Sequence, residues 1–240
     1  MDDIVGRLQS VFSSHQIDVI IGSLLGDARL ECRSIGVRSP VTARFRVHHG
    51  LKQKEYVLWK YEILKDFVLK GPREISWTNP KRDLLETSLY FHSKSLKELG
   101  VLYHYFYQNG KKILPENIFK ILNPRMLAIW FMDDGSNTGE SFTLNTHSFS
   151  KEDHVRIVKF LKHSFKIKAT IVKDRTKWKI SIGKNEFQKF VSIVEPYIIP
   201  SMTYKIANPR NDLSTKIRQS ENENIFANTS VPNLENLGKV

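Results

Sequence analysis

Two short segments decide the organisation of this 240-residue chain: IIGSLLGDA at residues 20–28 and LAIWFMDDG at residues 127–135. Both segments are apolar almost all round when drawn as helices, and each ends at a carboxylate, Asp27 or Asp134. A helix that is apolar all round must be buried on every side. Gly22 and Gly26 share one face and allow another backbone to approach closely. We therefore predict two short, buried helices that both end at an aspartate.

The position of the two aspartates calls for a compensating charge. A carboxylate at a helix C-terminus opposes the macrodipole and costs a few tenths to about 1 kcal/mol. A divalent cation held by both Asp27 and Asp134 would offset this cost, because hard cations prefer carboxylate oxygens and the carbonyls that a helix end leaves free. Either aspartate alone is better explained as an ordinary loop residue. Their recurrence at equivalent places favours a shared metal site.

The remaining sequence repeats one order of elements. In the first half, helix-like segments at residues 18–26, 52–69 and 95–107 alternate with strand-like segments at 44–48, 74–78 and 85–92. In the second half, helix-like segments at 125–134, 151–165 and 186–194 alternate with strand-like segments at 141–148, 170–173 and 177–182. Each half reads approximately α-β-α-β-β-α. We interpret this order as an internal duplication, the alternative being a single α+β domain.

Charge indicates the class of partner. The chain has 37 Lys+Arg and 25 Asp+Glu, a formal net charge of +12, and an ordinary apolar content of 40%. This composition excludes collagen-like and wholly disordered proteins and suggests a polyanionic partner, most often nucleic acid.

Several other classes of protein are excluded. The longest apolar runs fall well short of the roughly 18 residues of a membrane span. The acidic start, Met1-Asp2-Asp3, predicts neither a secretory signal nor a transit peptide. Cys32 is the only cysteine, which excludes an intrachain disulfide and the usual cysteine-based zinc sites.

The two segments resemble the paired signature of the LAGLIDADG homing endonucleases, in the single-chain form that carries two copies. Further stretches are similar to intron-encoded members of the mitochondrial type: LAIWFMDDGS (127–136), LNTHSFS (144–150), GKKILPENI (110–118) and YIIPSMTYKI (197–206). The resemblance covers roughly residues 15–208. One departure is that Ile129 and Trp130 stand where the signature has Gly and a smaller apolar residue, so we expect asymmetric helix packing.

The resemblance implies a fold and an activity. Family members pack the two signature helices together at a pseudo-two-fold axis and lay two sheets in successive major grooves of DNA. The expected fold is α+β, with two pseudo-symmetric α-β-β-α-β-β-α subdomains and saddle-shaped antiparallel sheets. The expected subdomains are residues 1–110 and 111–209, followed by a polar and flexible tail at 210–240. The implied reaction is double-strand cleavage at a long asymmetric site, leaving 3′ overhangs.

The resemblance also implies the catalytic residues. By position, the family's catalytic, metal-binding aspartates correspond to Asp27 and Asp134. Gly26 and Asp133 are expected to complete the metal site, Asp133 mainly through its carbonyl. The expected metal is Mg²⁺, which neutralises the phosphodiester, activates a water and stabilises the leaving oxygen.

Two lysines match the family's basic active-site residues. Lys112 and Lys205 occupy these positions, with Lys111 as the adjacent alternative to Lys112. They are expected to give electrostatic support or to position a water. The alternative for each is an exposed lysine on a basic surface.

Polar strand faces supply the expected DNA-reading surface. An antiparallel sheet packed on one side exposes its other face, where Arg and Asn make bidentate contacts with bases. The expected base-reading residues are Arg44, Arg46, His48, Thr143, Asn145, His147, Lys177 and Lys179. The expected phosphate contacts are Lys52, Lys54, Lys81 and Arg82. A merely solvated polar face is the alternative for any one of them.

These observations lead to one expected function and two alternatives. We expect a monomeric, Mg²⁺-dependent endonuclease that cuts double-stranded DNA, without membrane association. The alternatives are an RNA maturase that assists splicing of its host intron and a DNA-binding regulator without catalysis. The expected location is an organelle, either mitochondrion or chloroplast, or a bacterial cytoplasm.

Overall fold

The computed structural model describes residues 2–32, 41–80 and 83–207. A short helix, α1 (Asp2–Gln9), precedes the first half of the protein. That half comprises α2 (Ser14–Leu25), β1 (Arg29–Glu31), β2 (Arg44–Gly50), α3 (Lys54–Leu64), β3 (Arg73–Asn79), β4 (Leu84–His92) and α4 (Lys97–Phe106). A small hairpin of β5 (Tyr107–Gln108) and β6 (Lys111–Lys112) follows.

The second half repeats the order of the first. It comprises α5 (Pro124–Asp134), β7 (Gly135–Asn137), β8 (Phe142–Leu144), α6 (Lys151–Phe165), β9 (Ala169–Asp174), β10 (Lys177–Ile182) and α7 (Phe187–Val194). A 3₁₀ helix, Pro200–Lys205, comes after α7. Of the described residues, those up to Ile206 form one compact unit, and the predicted tail at 210–240 lies outside the described residues.

The sheet topology confirms the duplicated fold. Each half forms a four-stranded antiparallel sheet, with the orders β1-β2-β4-β3 and β7-β8-β10-β9. The observed order in each half is therefore α-β-β-α-β-β-α, one strand more than the periodicity of the sequence indicates. The additional strands, β1 and β7, have only three residues each. Runs that short carry too little alternation to be recognised from sequence.

Local capping explains where the two central helices begin. Ser13 caps α2 in a reciprocal capping box with Gln16. Asn123 caps α5 through the backbone N–H of Met126, and Pro124 occupies the first turn, where its missing N–H costs nothing. None of the helices within the described ranges is long and apolar enough for a membrane span.

Helices α2 and α5 pack against each other in the core, and their contact is asymmetric. A Cβ placed on Gly22 would lie 2.8 Å from both the Cβ of Ile129 and the carbonyl oxygen of Met126. Every residue from Val19 to Leu25 is buried, as is every residue from Met126 to Asp133. The glycine of α2 therefore provides the space that the larger Ile129 of α5 fills.

Replacing Gly22 with alanine is expected to destabilise the fold by about 1–3 kcal/mol, the usual cost of overpacking a tight core. A matched substitution is Gly6→Ala in α1, where an added Cβ meets nothing within 4 Å. Urea unfolding of the two variants and the parent protein measures the difference. Equal midpoints for Gly22→Ala and the parent protein would contradict the close approach of the helices.

Candidate active site and nucleic-acid interface

The ends of the two central helices meet at the carboxylates. Asp134 is the last residue of α5, and Asp27 lies just beyond the end of α2, with 47% of its side chain exposed. The backbone N–H of Asp27 donates to Oδ2 of Asp133 at 3.3 Å. A Cβ on Gly26 would lie only 2.4 Å from the Cβ of Asp133. Gly26 is therefore the residue that lets the second helix end approach the first.

The electrostatics of this site disfavour two unpaired anions. Burial, together with the nearby carboxylates of Asp27 and Asp133, raises the pKa of Asp134 to about 7. Burial, followed by the charge of Asp133, also raises the pKa of Asp27. A cation between these carboxylates would remove the repulsion, and hard divalent ions favour such oxygen ligands. The residues present therefore fit a divalent metal ion.

Both predicted lysines reach the helix ends. Nζ of Lys112, in β6, donates to the carbonyl oxygens of Gly26 and Ala28, each at 2.7 Å. Burial lowers the pKa of Lys112 to about 8. Lys111 is exposed on the same hairpin. The two carbonyls that Lys112 contacts lie on either side of Asp27, so the structure brings this lysine and Asp27 together.

Lys205 has the equivalent place at the other helix end. Its Nζ donates to the carbonyl oxygens of Phe131, Met132 and Asp133, the last at 3.1 Å. Only 8% of Lys205 is exposed, and burial lowers its pKa. The alternative of a surface lysine is therefore wrong for Lys205. The carbonyls of Gly26 and Asp133 already accept lysine hydrogen bonds, although each has a second lone pair that a metal ion can use.

The carboxylate of Asp133, which was expected to act mainly through its backbone carbonyl, forms a buried ion pair. This carboxylate is fully buried and lies 2.7 Å from Nζ of Lys60, which is also fully buried. The periodicity of α3 indicates that this lysine is buried, because Tyr56, Lys60 and Leu64 recur at helical spacing on the buried face. The sequence analysis missed Lys60, since lysine in such a helix is ordinarily exposed.

His49 lies between the carboxylates. Its Nδ1 is 3.7 Å from Oδ2 of Asp27, and its Nε2 is 3.6 Å from Oδ1 of Asp133. Burial, together with the charge of Lys60, lowers the pKa of His49 to about 4, so its ring is neutral at pH 7. Asp27, His49 and Asp133 offer ligand atoms within 4.8 Å of one another. The structure thus adds an imidazole to the expected oxygen ligands.

The outer face of the first sheet carries the predicted arginines. Arg46 pairs with His92 of β4, and His48 pairs with Tyr90, so these side chains share one face. The Arg46 guanidinium lies 5.1 Å from the centroid of the Tyr90 ring. Lys52 and Lys54 are exposed where β2 leads into α3. Lys81 and Arg82 lie outside the described residues.

Glu31, which the sequence analysis did not single out, organises three arginines of this face. Its carboxylate accepts from Arg29 at 2.7 Å, Arg44 at 2.8 Å and Arg46 at 3.0 Å. Partial burial alone would raise the pKa of Glu31, but hydrogen bonds from Arg46, Arg44 and Arg29 lower it to about 2. One carboxylate therefore holds the three guanidinium groups in place and leaves a net positive surface.

The second sheet differs from its prediction at Thr143. The predicted strand at 141–148 is shortened to Phe142–Leu144, and only 8% of Thr143 is exposed because β8 lies between β7 and β10. Asn145 and His147 therefore follow the strand instead of continuing its face. Thr143 as an exposed reading residue is a correction to the sequence analysis.

The remaining predicted residues of this half are accessible in part. The Asn145 side chain donates to Oγ of Ser136 at 3.0 Å. His147 and Lys179 each contact Oδ2 of Asp174 at 3.1 Å, and Lys177 is exposed. Lys179 is thus paired with Asp174 in the second sheet, as Arg44 and Arg46 are paired with Glu31 in the first.

Comparison with known proteins identifies the family. Residues 17–190 match the model of the LAGLIDADG DNA endonuclease family. The chain belongs to this family. It is 30% identical over 214 residues to the DNA endonuclease I-ChuI of Chlamydomonas applanata, covering 82% of this chain and 96% of that protein. It is 28% identical over 200 residues to the cytochrome b mRNA maturase bI2 of Debaryomyces hansenii, covering 80% of this chain and 73% of the maturase.

A solved structure supports the LAGLIDADG assignment. The homing endonuclease I-WcaI, bound to its DNA recognition sequence, matches this LAGLIDADG protein with a TM-score of 0.74 and 25% identity. The match covers 82% of this chain and 87% of the other. The predicted family and fold class are therefore confirmed.

Proposed function

We propose that this protein is a divalent-metal-dependent endonuclease that cuts both strands of a long, asymmetric DNA site and leaves 3′ overhangs. The observation that carries the proposal is that Asp27 and Asp134 lie at the ends of two packed helices, and that each end is bound by a lysine, the partly buried Lys112 or the buried Lys205. The DNA complex of I-WcaI and the endonuclease relative support the choice of DNA as substrate.

The residues at the two helix ends would bind the metal ions and orient their ligands. Asp27 and Asp134 would hold the metal ions, with the carbonyls of Gly26 and Asp133 as further oxygen ligands. Bound Mg²⁺ supplies charge neutralisation at the phosphate and a water of lowered pKa. Lys112 and Lys205 hold the carbonyls beside the two aspartates and thereby orient the aspartates.

The sheets position the DNA. Arg44, Arg46 and His48 would read bases from the outer face of the first sheet, and Lys177 and Lys179 from that of the second. Asn145 and His147 would lie at the edge of this second reading surface. Exposed Lys52 and Lys54 would bind phosphates. We propose further that one chain acts alone, because its two halves already provide two aspartates for two scissile phosphates.

Cleavage of a randomised duplex library in Mg²⁺, with sequencing of the cut ends, tests the proposed function. Recovery of one long, partly degenerate site with 3′ overhangs would support it. An absence of cutting at any Mg²⁺ concentration, by a folded protein, would overturn it.

A second candidate function is maturase activity on an intron RNA. The similarity to a cytochrome b mRNA maturase supports this candidate and also supports a location in an organelle. A splicing assay with the intron that encodes the chain separates the two functions, because a maturase accelerates splicing without cutting DNA. The two activities are compatible in one chain.

The metal requirement is expected to depend on pH near neutrality. A metal ion binds the deprotonated carboxylate, and the pKa of Asp134 is raised to about 7. The Mg²⁺ concentration for half-maximal cleavage should therefore rise by up to about tenfold per pH unit below 7, and stay nearly constant above pH 8. Cleavage titrations from pH 5.5 to 8.5 measure this. A requirement that stays constant down to pH 5.5 would contradict Asp134 as the ligand.

Specificity is expected to separate Arg46 from Lys52. Replacing Arg46 with alanine should relax the preference at one base pair by about 1–3 kcal/mol, because a bidentate base contact is lost. Replacing Lys52 should weaken binding equally for all sequences and reduce its salt dependence. Affinity measurements over single-base variants of the site compare the two. A uniform loss for Arg46→Ala would make Arg46 a phosphate contact.

A further inference from the structure

A buried ion pair joins the two halves of the protein beneath the aspartates. Lys60 lies in α3 of the first half, and Asp133 lies in α5 of the second. Both side chains are fully buried, and Nζ of Lys60 is 2.7 Å from Oδ1 of Asp133. A buried ion pair of this kind is weak support for stability, because desolvation offsets most of its attraction. Its position therefore points to another role.

The pair continues to Asp27. The second oxygen of Asp133, Oδ2, accepts the backbone N–H of Asp27 at 3.3 Å. Gly26 permits this contact, because a Cβ there would lie 2.7 Å from the same oxygen. Lys60, Asp133 and Asp27 thus form one chain of polar contacts that runs from a helix of the first half, through the second half, and back.

Tyr56 anchors the same two helices. Its hydroxyl donates to the carbonyl oxygen of Ile129 at 3.2 Å, and its ring centroid lies 4.2 Å from Nζ of Lys60. The ring therefore packs beside the ammonium group, and the hydroxyl ties α3 to α5. Helix α3 therefore contacts α5 at two points, through Tyr56 and through Lys60, and these contacts help to position Asp133.

The second half supports its aspartate differently. The carbonyl oxygen of Asp134 accepts the backbone N–H of Asn145, within the same half, at 3.0 Å. The buried histidine of α6, His154, contacts Thr146 at 2.9 Å and the carbonyl of Trp178 at 3.0 Å, also within that half. At Asp27, by contrast, a carboxylate of the other half accepts the backbone N–H. The two aspartates therefore have unlike supports.

We propose that Lys60 is a positioning residue that acts through Asp133 to hold the backbone of Asp27. Lys60 would touch neither the substrate nor the reacting atoms. Its consequence for cleavage, which rests on the proposed nuclease function, is that loss of the pair impairs the Asp27 centre more than the Asp134 centre. One strand is then cut more slowly than the other.

The test uses the full-length chain with both charges removed together. Lys60→Met alone would leave the Asp133 carboxylate buried without its partner, which is strongly destabilising. The double variant Lys60→Met/Asp133→Leu replaces the pair with apolar side chains and keeps the Asp133 carbonyl. Asp133→Asn is a second variant, which keeps an oxygen acceptor for the Asp27 N–H but leaves the Lys60 ammonium without a counter-charge, so it is compared only after its urea midpoint shows that it folds. The matched control is Lys65→Met, which removes an exposed lysine paired with Glu62.

The expected results separate positioning from stability. The double variant should unfold in urea at or above the wild-type midpoint but cut supercoiled plasmid at least tenfold more slowly, with nicked circle accumulating. The cleavage rate of Asp133→Asn should lie between those of the double variant and wild type. Lys65→Met should cleave at the wild-type rate. Wild-type rates on both strands for a folded double variant would overturn the proposal.

A second measurement does not depend on cleavage or on metal. Amide hydrogen exchange by NMR should show the Asp27 N–H protected in the metal-free wild type and at least tenfold faster in the double variant. The Asn145 N–H should keep its protection in both. An unchanged exchange rate of the Asp27 N–H would overturn the positioning role, whether or not the wild-type protein cuts DNA. Failure of the wild-type protein to cut DNA would count against the nuclease function alone.

Discussion

Asp134→Asn is expected to abolish cleavage of double-stranded DNA, and Asp27→Asn is expected to do the same. Asparagine keeps the size of the side chain but removes the charge that would bind the metal ion. We expect each substitution to lower the rate by at least about 100-fold, the order of loss seen when one electrostatic group of an active site is removed. Plasmid cleavage in Mg²⁺ over a range of enzyme concentrations measures this loss.

DNA binding should survive these substitutions. Removing one carboxylate from a basic protein does not weaken its attraction to phosphates. Gel-shift affinities of both variants should therefore stay within a few-fold of wild type. Glu62→Gln, which removes an exposed carboxylate of α3, serves as the control and should leave both cleavage and binding unchanged. Double-strand cleavage by either asparagine variant would show that its aspartate is not a catalytic ligand.

The second large effect is expected for Lys112→Met compared with Lys111→Met. Methionine is nearly as long as lysine but cannot donate to the carbonyls of Gly26 and Ala28, which flank Asp27. We expect about 100-fold slower cleavage for Lys112→Met, since a preorganised, partly buried cation is lost from the site. Lys111→Met removes the same charge from the exposed position of the hairpin and should change the rate only slightly.

The comparison of neighbouring lysines separates local geometry from general charge. Both variants lower the net charge of the protein by one, so they should share any small, salt-dependent loss of DNA affinity. Single-turnover cleavage with saturating protein isolates the remaining difference. Equal rates for the two variants would assign Lys112 to the DNA-binding surface instead of the active site.

Local patterns predicted the elements well wherever one face of an element is clearly apolar. Helix α6 and strand β10 have the predicted bounds, because apolar residues recur there at the helical or strand period. The same reasoning overextended β8, which has three residues and is covered on both sides. Apolar and polar residues continue to alternate beyond Leu144. The chain does not continue as a strand there, because no neighbouring strand pairs with these described residues.

The candidate site was predictable in part. The two aspartates were visible because each ends an apolar helix, and the resemblance to the family indicated Lys112 and Lys205. The contacts of these lysines and the burial of Lys205 were not visible, because they depend on helix ends that lie far away in the chain. Glu31 was missed for a similar reason, since its three arginine partners come together only when β1 pairs with β2.

The sequence by itself determined that the protein is a duplicated α+β chain with an aspartate at the end of each central helix. These features depend on periodicity and on residues that are close in the chain. Only the tertiary structure decided that Lys60 pairs with Asp133 and that Asp133 contacts the backbone of Asp27. Those contacts join residues far apart in the chain, and they exist because Gly26 lets two helix ends approach within the reach of one carboxylate.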